Sequence, residues 1–75
     1  MRTALIIELN GQQRTIPELS SPTDLASLIA ALKLKSDRIA VEHNGEIVSR
    51  ATWTQERVAN GDRLEIVHFV GGGKA

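Results

Sequence analysis

The sequence contains no cysteine, which excludes a disulfide framework, a thiolate metal site and a thiol nucleophile. Any sulfur chemistry would have to take place on another atom. Excess charge is missing as well: nine Lys and Arg balance nine Asp and Glu, and no run of either sign exceeds two residues. A nucleic-acid or membrane-surface binder would show a basic stripe, so neither partner is expected. No apolar run approaches the roughly 18 residues of a membrane span. The start of the chain has one Arg and a short apolar segment in place of a secretory leader, and a cytoplasmic location is the resulting expectation. His43 and His68 are the only histidines, and no third ligand stands at recognisable spacing, so metal binding is not expected.

What is present is small, at 75 residues and 8.2 kDa. A chain of this size buries only about 60% of the surface its unfolded form exposes, which leaves little for an enclosed pocket. The acids are scattered among turns and solvent-facing positions, with Asp24 suited to a helix start and Asp62 to a turn. No Ser, Thr or Lys has an evident activating base, so the chain is expected not to be an enzyme and to bind no cofactor itself.

The hydrophobic fraction of 41% suits one folded domain. Thr3 to Leu9 is strand-like, with Leu5, Ile7 and Leu9 assigned inward, although Ile6 on the other face leaves that phase open. Asn10-Gly11 is a two-residue hairpin signal, because a type I′ turn needs φ > 0 at both central positions. Gln12 to Ile16 is then the returning strand, and Pro17 to Ser20 a connector. Ser21-Pro22-Thr23-Asp24 reads as a helix opening, with Ser21 as cap and Pro22 in the first helical position. Leu25, Leu28, Ile29 and Leu32 form one apolar stripe, and the helix is expected to fray near Lys33 to Lys35. Ile39 to His43 is a strand, Asn44-Gly45 repeats the hairpin signal, and Glu46 to Val48 starts the return. Ser49 to Arg57 is irregular around Trp53, which is assigned to the end of the core. His43, beside its turn, is expected to be exposed. Asn60-Gly61-Asp62 is a further turn.

The last stretch, Arg63 to Val70, reads as a strand ending in Gly71-Gly72-Gly73 and then Lys74-Ala75. One helix between the second and third strands covers one face of such a sheet if the first and last strands lie together at its centre. That is an α+β, β-grasp arrangement: a mixed sheet of four to five strands with one main helix packed on one face. Its core should gather Leu5, Ile7, Ile16, Leu25, Leu28, Ile29, Leu32, Val41, Leu64 and Ile66. Residues 1–70 would form the domain and 71–75 a flexible tail. The glycines have no Cβ to pack and suit a thread that enters a narrow channel, or else simply a disordered tail. Period two sends Val67 and Phe69 to the uncovered face, either as a docking patch or as ordinary cross-strand packing.

With Val41-Glu42-His43-Asn44-Gly45-Glu46-Ile47-Val48, Arg50, Trp53, and the run from Asn60-Gly61-Asp62-Arg63 through His68-Phe69-Val70-Gly71-Gly72-Gly73, the chain resembles the ThiS-type sulfur carrier proteins of thiamin biosynthesis. The resemblance implies a ubiquitin-like fold and a non-enzymatic role. Gly73, with Gly72 and Gly71 leading to it, would be adenylated by an E1-like enzyme using ATP and Mg²⁺, then converted to a thiocarboxylate. A sulfur donor such as a cysteine desulfurase system would load it, and a thiazole synthase would unload it. Val67, His68, Phe69 and Val70 would contact these partners, and the carrier alone would be a monomer. Such carriers typically end at the glycine pair, so Lys74-Ala75 would have to be removed. A molybdopterin-synthase-type carrier and a β-grasp interaction or modifier module are the competing readings.

Overall fold

In the computed structural model of the chain, residues 3–69 are described. Met1, Arg2 and residues 70–75 lie outside them, so the expectations for Val70, the glycine run and Lys74-Ala75 concern residues beyond the described fold. Strands β1 (Ala4–Leu9), β2 (Gln12–Ser20), β4 (Ile39–His43), β5 (Glu46–Val48) and β7 (Arg63–His68) form one sheet in the order β2-β1-β7-β4-β5. The first and last strands pair in parallel at its centre, and every other neighbouring pair is antiparallel. The β-grasp arrangement read from the sequence is the one observed.

Both hairpins close as Asn-Gly requires. Asn10 and Gly11 have φ of 50° and 83°, and Asn44 and Gly45 have φ of 51° and 90°, the left-handed values that a two-residue turn between twisted strands demands. The asparagines also reach across the fold. Asn10 accepts from the Ile66 amide (2.8 Å) and its Nδ2 donates to the Ile66 carbonyl (3.2 Å). Asn44 accepts from the Arg63 amide (2.9 Å), and Asn60 accepts from the Ile6 amide (2.8 Å). Each asparagine therefore pairs backbone groups that would otherwise end a ladder without a partner.

Two boundaries differ from the sequence reading. Strand β2 runs on through Pro17 to Ser20, because the pairing slips between Ala4 and Leu5 so that Leu5 faces Ile16 while Ala4 faces Ser20. The irregularity absorbs Pro17, which has no N–H to give a regular ladder. The helix α1 spans Leu25–Ala31, later than expected, since Thr23–Asp24 (β3) is still extended and pairs with Arg57–Val58 (β6). Its cap is Asp24, not Ser21. One Asp24 oxygen accepts from the Ser27 amide (2.9 Å) and the other from the Ser27 hydroxyl (2.8 Å). These bonds from Ser27 hold the Asp24 carboxyl below its usual pKa. Ser21 instead accepts from the Asn60 amide at 3.0 Å.

The helix ends by closure, not by fraying. Lys33 adopts φ of 61°, its amide donates to the Ala30 carbonyl and the Leu34 amide to the Ile29 carbonyl. That double bond pattern is a Schellman motif, and it turns Leu34 back onto the core.

Leu25, Leu28 and Ile29 of α1 pack on Leu5, Ile7, Ile16, Ile39, Val41, Leu64 and Ile66 of the sheet. Leu32, expected inside, is only partly buried because it is the residue that ends the helix. Leu9 is likewise partly buried. Trp53 completes the core, and its Nε1 donates to the Val48 carbonyl (3.1 Å). Val58, which the sequence reading passed over, is fully buried.

Candidate functional site

With Leu64 and Ile66 turned toward the helix, alternation along β7 turns Glu65 and Val67 to the other side of the sheet. No helix among the described residues covers that side. Val67 is 61% exposed and Phe69 56%, while Ile47 on the neighbouring β5 is 79% exposed. Ala40 faces Val67 across the β4–β7 pair, and Glu42 faces both Glu65 and Ile47. Ala40, Glu42, Ile47, Glu65 and Val67 line a shallow groove of about 90 Å³, and Phe69 is not part of its lining. Ile47 and Val67 thus stand as exposed large apolar side chains on the two sides of this groove.

The structure brings Val67 onto this face and adds Ile47, which the sequence reading did not include, while Phe69 is exposed just past the end of β7. The signal was available: in a strand of Glu46-Ile47-Val48, the inward Val48 sends Ile47 outward. His68 is placed differently. It follows the inward phase and lines a groove with Leu34 and Ile66 on the helix side, so it does not share a patch with Val67. Val70 and Gly71 to Gly73 lie outside the described residues. The last described step of the path toward them is the Phe69 amide, which donates to the Arg38 carbonyl at 2.9 Å.

His43 corrects an expectation of exposure, since its side chain is 9% exposed. Its Nδ1 stands 2.6 Å from Glu56 Oε2 and its Nε2 2.8 Å from Asp62 Oδ2. Asp62 Oδ2 also accepts from the Ala59 amide at 2.9 Å. Burial disfavours the charged imidazolium, but the two carboxylates outweigh it and raise the pKa above the usual histidine value. Burial works against the Asp62 charge too, yet the Ala59 amide and His43 hold its pKa below the usual value. Both ring nitrogens act as donors in this form. The cluster ties the end of β4 to the segment before β6 and to the turn before β7. Sequence reasoning saw His43 beside a turn and Asp62 in a turn, and nothing in their spacing announced that they meet.

Among the described residues, no group of His, Asp and Glu side chains forms a metal site, and no helix is long and apolar enough to cross a membrane. The groove on the face away from the helix is open and shallow, and the titratable groups that line it are Glu42 and Glu65.

A mixed sheet in this order, with one α-helix packed on one of its faces among the described residues, defines a small ubiquitin-like β-grasp protein. The sequence matches the model of the ThiS family over residues 7–73, and the chain belongs to that family. It is 31% identical over 68 residues to the sulfur carrier protein ThiS of Bacillus subtilis strain 168, covering 91% of this chain and 100% of that one. It is 40% identical over 65 residues to a thiazole synthase of Paramagnetospirillum magneticum, where the match covers 87% of this chain but only 19% of the relative. The chain thus spans about a fifth of the length of that relative. The crystal structure of a thiamine biosynthesis protein (ThiS) from Geobacter metallireducens superposes with a TM-score of 0.78 at 30% identity, covering 92% of this chain and 100% of that one.

Proposed function

We propose that this chain carries sulfur for thiamin biosynthesis on the carboxylate of Gly73. The observation that carries this reading is the extent of the family match. It runs through the glycines and stops at Gly73, leaving Lys74-Ala75 outside. In the proposed cycle, an adenylating partner of the E1-like kind uses ATP and Mg²⁺. A Gly73 carboxylate oxygen attacks the α-phosphorus and pyrophosphate leaves. A sulfide equivalent from a donor system then adds to the activated carbonyl, and AMP departs with the original oxygen. The product is a thiocarboxylate whose sulfur is nucleophilic, ready for a thiazole synthase.

The chain's own contribution is recognition and access. The folded body offers an apolar face beside the strand that leads to the glycines. The glycines themselves fit a channel too narrow for side chains. No cysteine is needed, because the sulfur rides on the main-chain terminus. The thiazole synthase relative, which contains a stretch like this chain within a longer protein, supports that enzyme as the acceptor. The proposed setting is the cytoplasm, where ATP is available, with Lys74-Ala75 removed before loading.

The test is intact-mass analysis of the chain ending at Gly73 after incubation with ATP, an adenylating enzyme and a sulfur donor. Replacement of one oxygen by sulfur is the expected result, and a chain that runs on through Lys74-Ala75 should remain unmodified. Isopeptide bonds from Gly73 to lysines, with no thioacid, would instead identify a protein modifier.

A further inference from the structure

Three Asn-Gly steps stand in this chain: Asn10-Gly11, Asn44-Gly45 and Asn60-Gly61. Asparagine before glycine is chemically labile, because a glycine nitrogen with no Cβ beside it can reach the asparagine side-chain carbonyl carbon. The fold ties the three steps down unequally. At the first, both ends of the side chain are held, since Oδ1 accepts from the Ile66 amide at 2.8 Å and Nδ2 donates to the Ile66 carbonyl at 3.2 Å. At the third, Asn60 Oδ1 accepts from the Ile6 amide at 2.8 Å, and the Gly61 amide, the nitrogen that would attack, donates to the Ile6 carbonyl at 2.9 Å. The middle step is looser. Asn44 Oδ1 accepts from the Arg63 amide at 2.9 Å, but the Gly45 amide takes part in no hydrogen bond among the described residues. Asn44 Nδ2 has a 3.4 Å contact with His43 Nε2, a nitrogen already committed to Asp62 at 2.8 Å, and it lends the Asp62 charge some support. No backbone carbonyl fixes it among the described residues. The turn also sits at the margin of the sheet: β5 is an edge strand of three residues, so this hairpin can open locally without disturbing the central strands.

We propose that Asn44 is a site of spontaneous modification, where attack by the Gly45 nitrogen converts the side-chain amide to a carboxylate next to the His43 cluster. In the first step the Gly45 nitrogen bonds to Asn44 Cγ and gives up its proton, while the Cγ–Nδ2 bond breaks and ammonia leaves. Water then opens the cyclic imide at one of its two carbonyls. One opening leaves an aspartate; the other leaves an isoaspartate, whose main chain runs through the former side chain and is one methylene longer. Asparagine and water thus become an acid and ammonia, with no oxidant or cofactor, and the inference is independent of the sulfur-carrier reading. Either product sets a new negative charge beside the Asp62 end of the cluster. The isoaspartate does more. Its extra methylene does not fit the two-residue turn that puts His43 opposite Glu46, and it moves the acceptor away from the Arg63 amide.

The experiment keeps the chain warm at neutral pH, digests it at intervals, and counts aspartate and isoaspartate at the three positions by mass spectrometry. A sample held unfolded in urea presents the same pair of residues at each step and sets each site's intrinsic rate. Divided by that rate, reaction at Asn44 in the folded chain should lead Asn10 and Asn60 by about tenfold, the ratio that corresponds to one more hydrogen bond to break. Equal corrected rates at the three positions, or a lead by Asn10 or Asn60, overturns the inference. The isoaspartyl fraction, separated by chromatography, should melt below both the parent chain and the Asn44→Asp variant, which keeps a normal backbone. A fraction that melts with the parent would overturn the link from this site to the hairpin and the His43 cluster.

Discussion

The two faces of the sheet are made from similar residues and meet different fates. Toward the helix, Leu5, Ile7, Val41, Leu64 and Ile66 are buried in one cluster. Away from it, Ile47, Val67 and Phe69 stand in solvent. The inner set forms the core, while the outer set stays exposed and is expected to add little to stability. Burial therefore separates two roles that hydrophobicity alone does not distinguish.

The sharpest way to break that contrast is to truncate one residue on each side of β7. Leu64→Ala removes a fully buried side chain and should cost about 2–5 kcal/mol in denaturant unfolding. Val67→Ser, three positions along on the open face, should change stability by less than about 0.5 kcal/mol. Equal losses in the two variants would show that the open face is structural after all. Next in size is Asn10→Ala, which leaves the Ile66 amide and carbonyl without their side-chain partner and should cost about 1–3 kcal/mol. Asn10→Asp keeps the acceptor and loses the donor, so it should fall between.

The attachment of the covering helix gives a smaller effect. Asp24→Ala removes the cap on Ser27 and should lower stability by about 1 kcal/mol, read as a shift in the unfolding midpoint. Asp24→Asn should recover much of it.

The last expectation concerns pH. The His43 pKa is raised in the folded state, so its contribution is complete below the unfolded histidine value of 6.5 and disappears as pH rises through the folded value. Asp24 and Asp62 have lowered pKa values, so their contributions hold above the unfolded value and are lost as pH falls through the folded values. The melting temperature should decline on the alkaline side of that histidine value, and His43→Gln should remove that decline, while on the acid side it should keep the part that Asp24 supplies and weaken the part of Asp62, which His43 helps to hold down. A slope that survives His43→Gln would assign it to another group.

Much of this was legible in the residues. Asn-Gly at two places fixed both hairpins, alternation in Leu64 to Phe69 set the two faces, and the stripe of Leu25, Leu28 and Ile29 set the covering helix. What stayed hidden depended on partners distant in the chain. Pro17 reads as a break, and only the shifted pairing opposite Ala4 lets β2 continue. Ser21-Pro22 looks like a helix start, and only the pairing of Thr23 with Val58 keeps the segment extended. Val58 is a lone apolar residue in a polar stretch with no period to announce its burial. The pairing of His43 with Glu56 and Asp62 joins three segments whose spacing has no pattern. The glycine run proposed to carry sulfur was readable only as a motif, since it lies beyond the described fold.

The strand that leads toward those glycines is also the middle strand of the sheet, paired with β1 on one side and β4 on the other. Until β7 is in place, β1 has β2 as its only neighbour in the sheet and β4 has β5 as its only one, so two separate hairpins become a single sheet when β7 inserts between them.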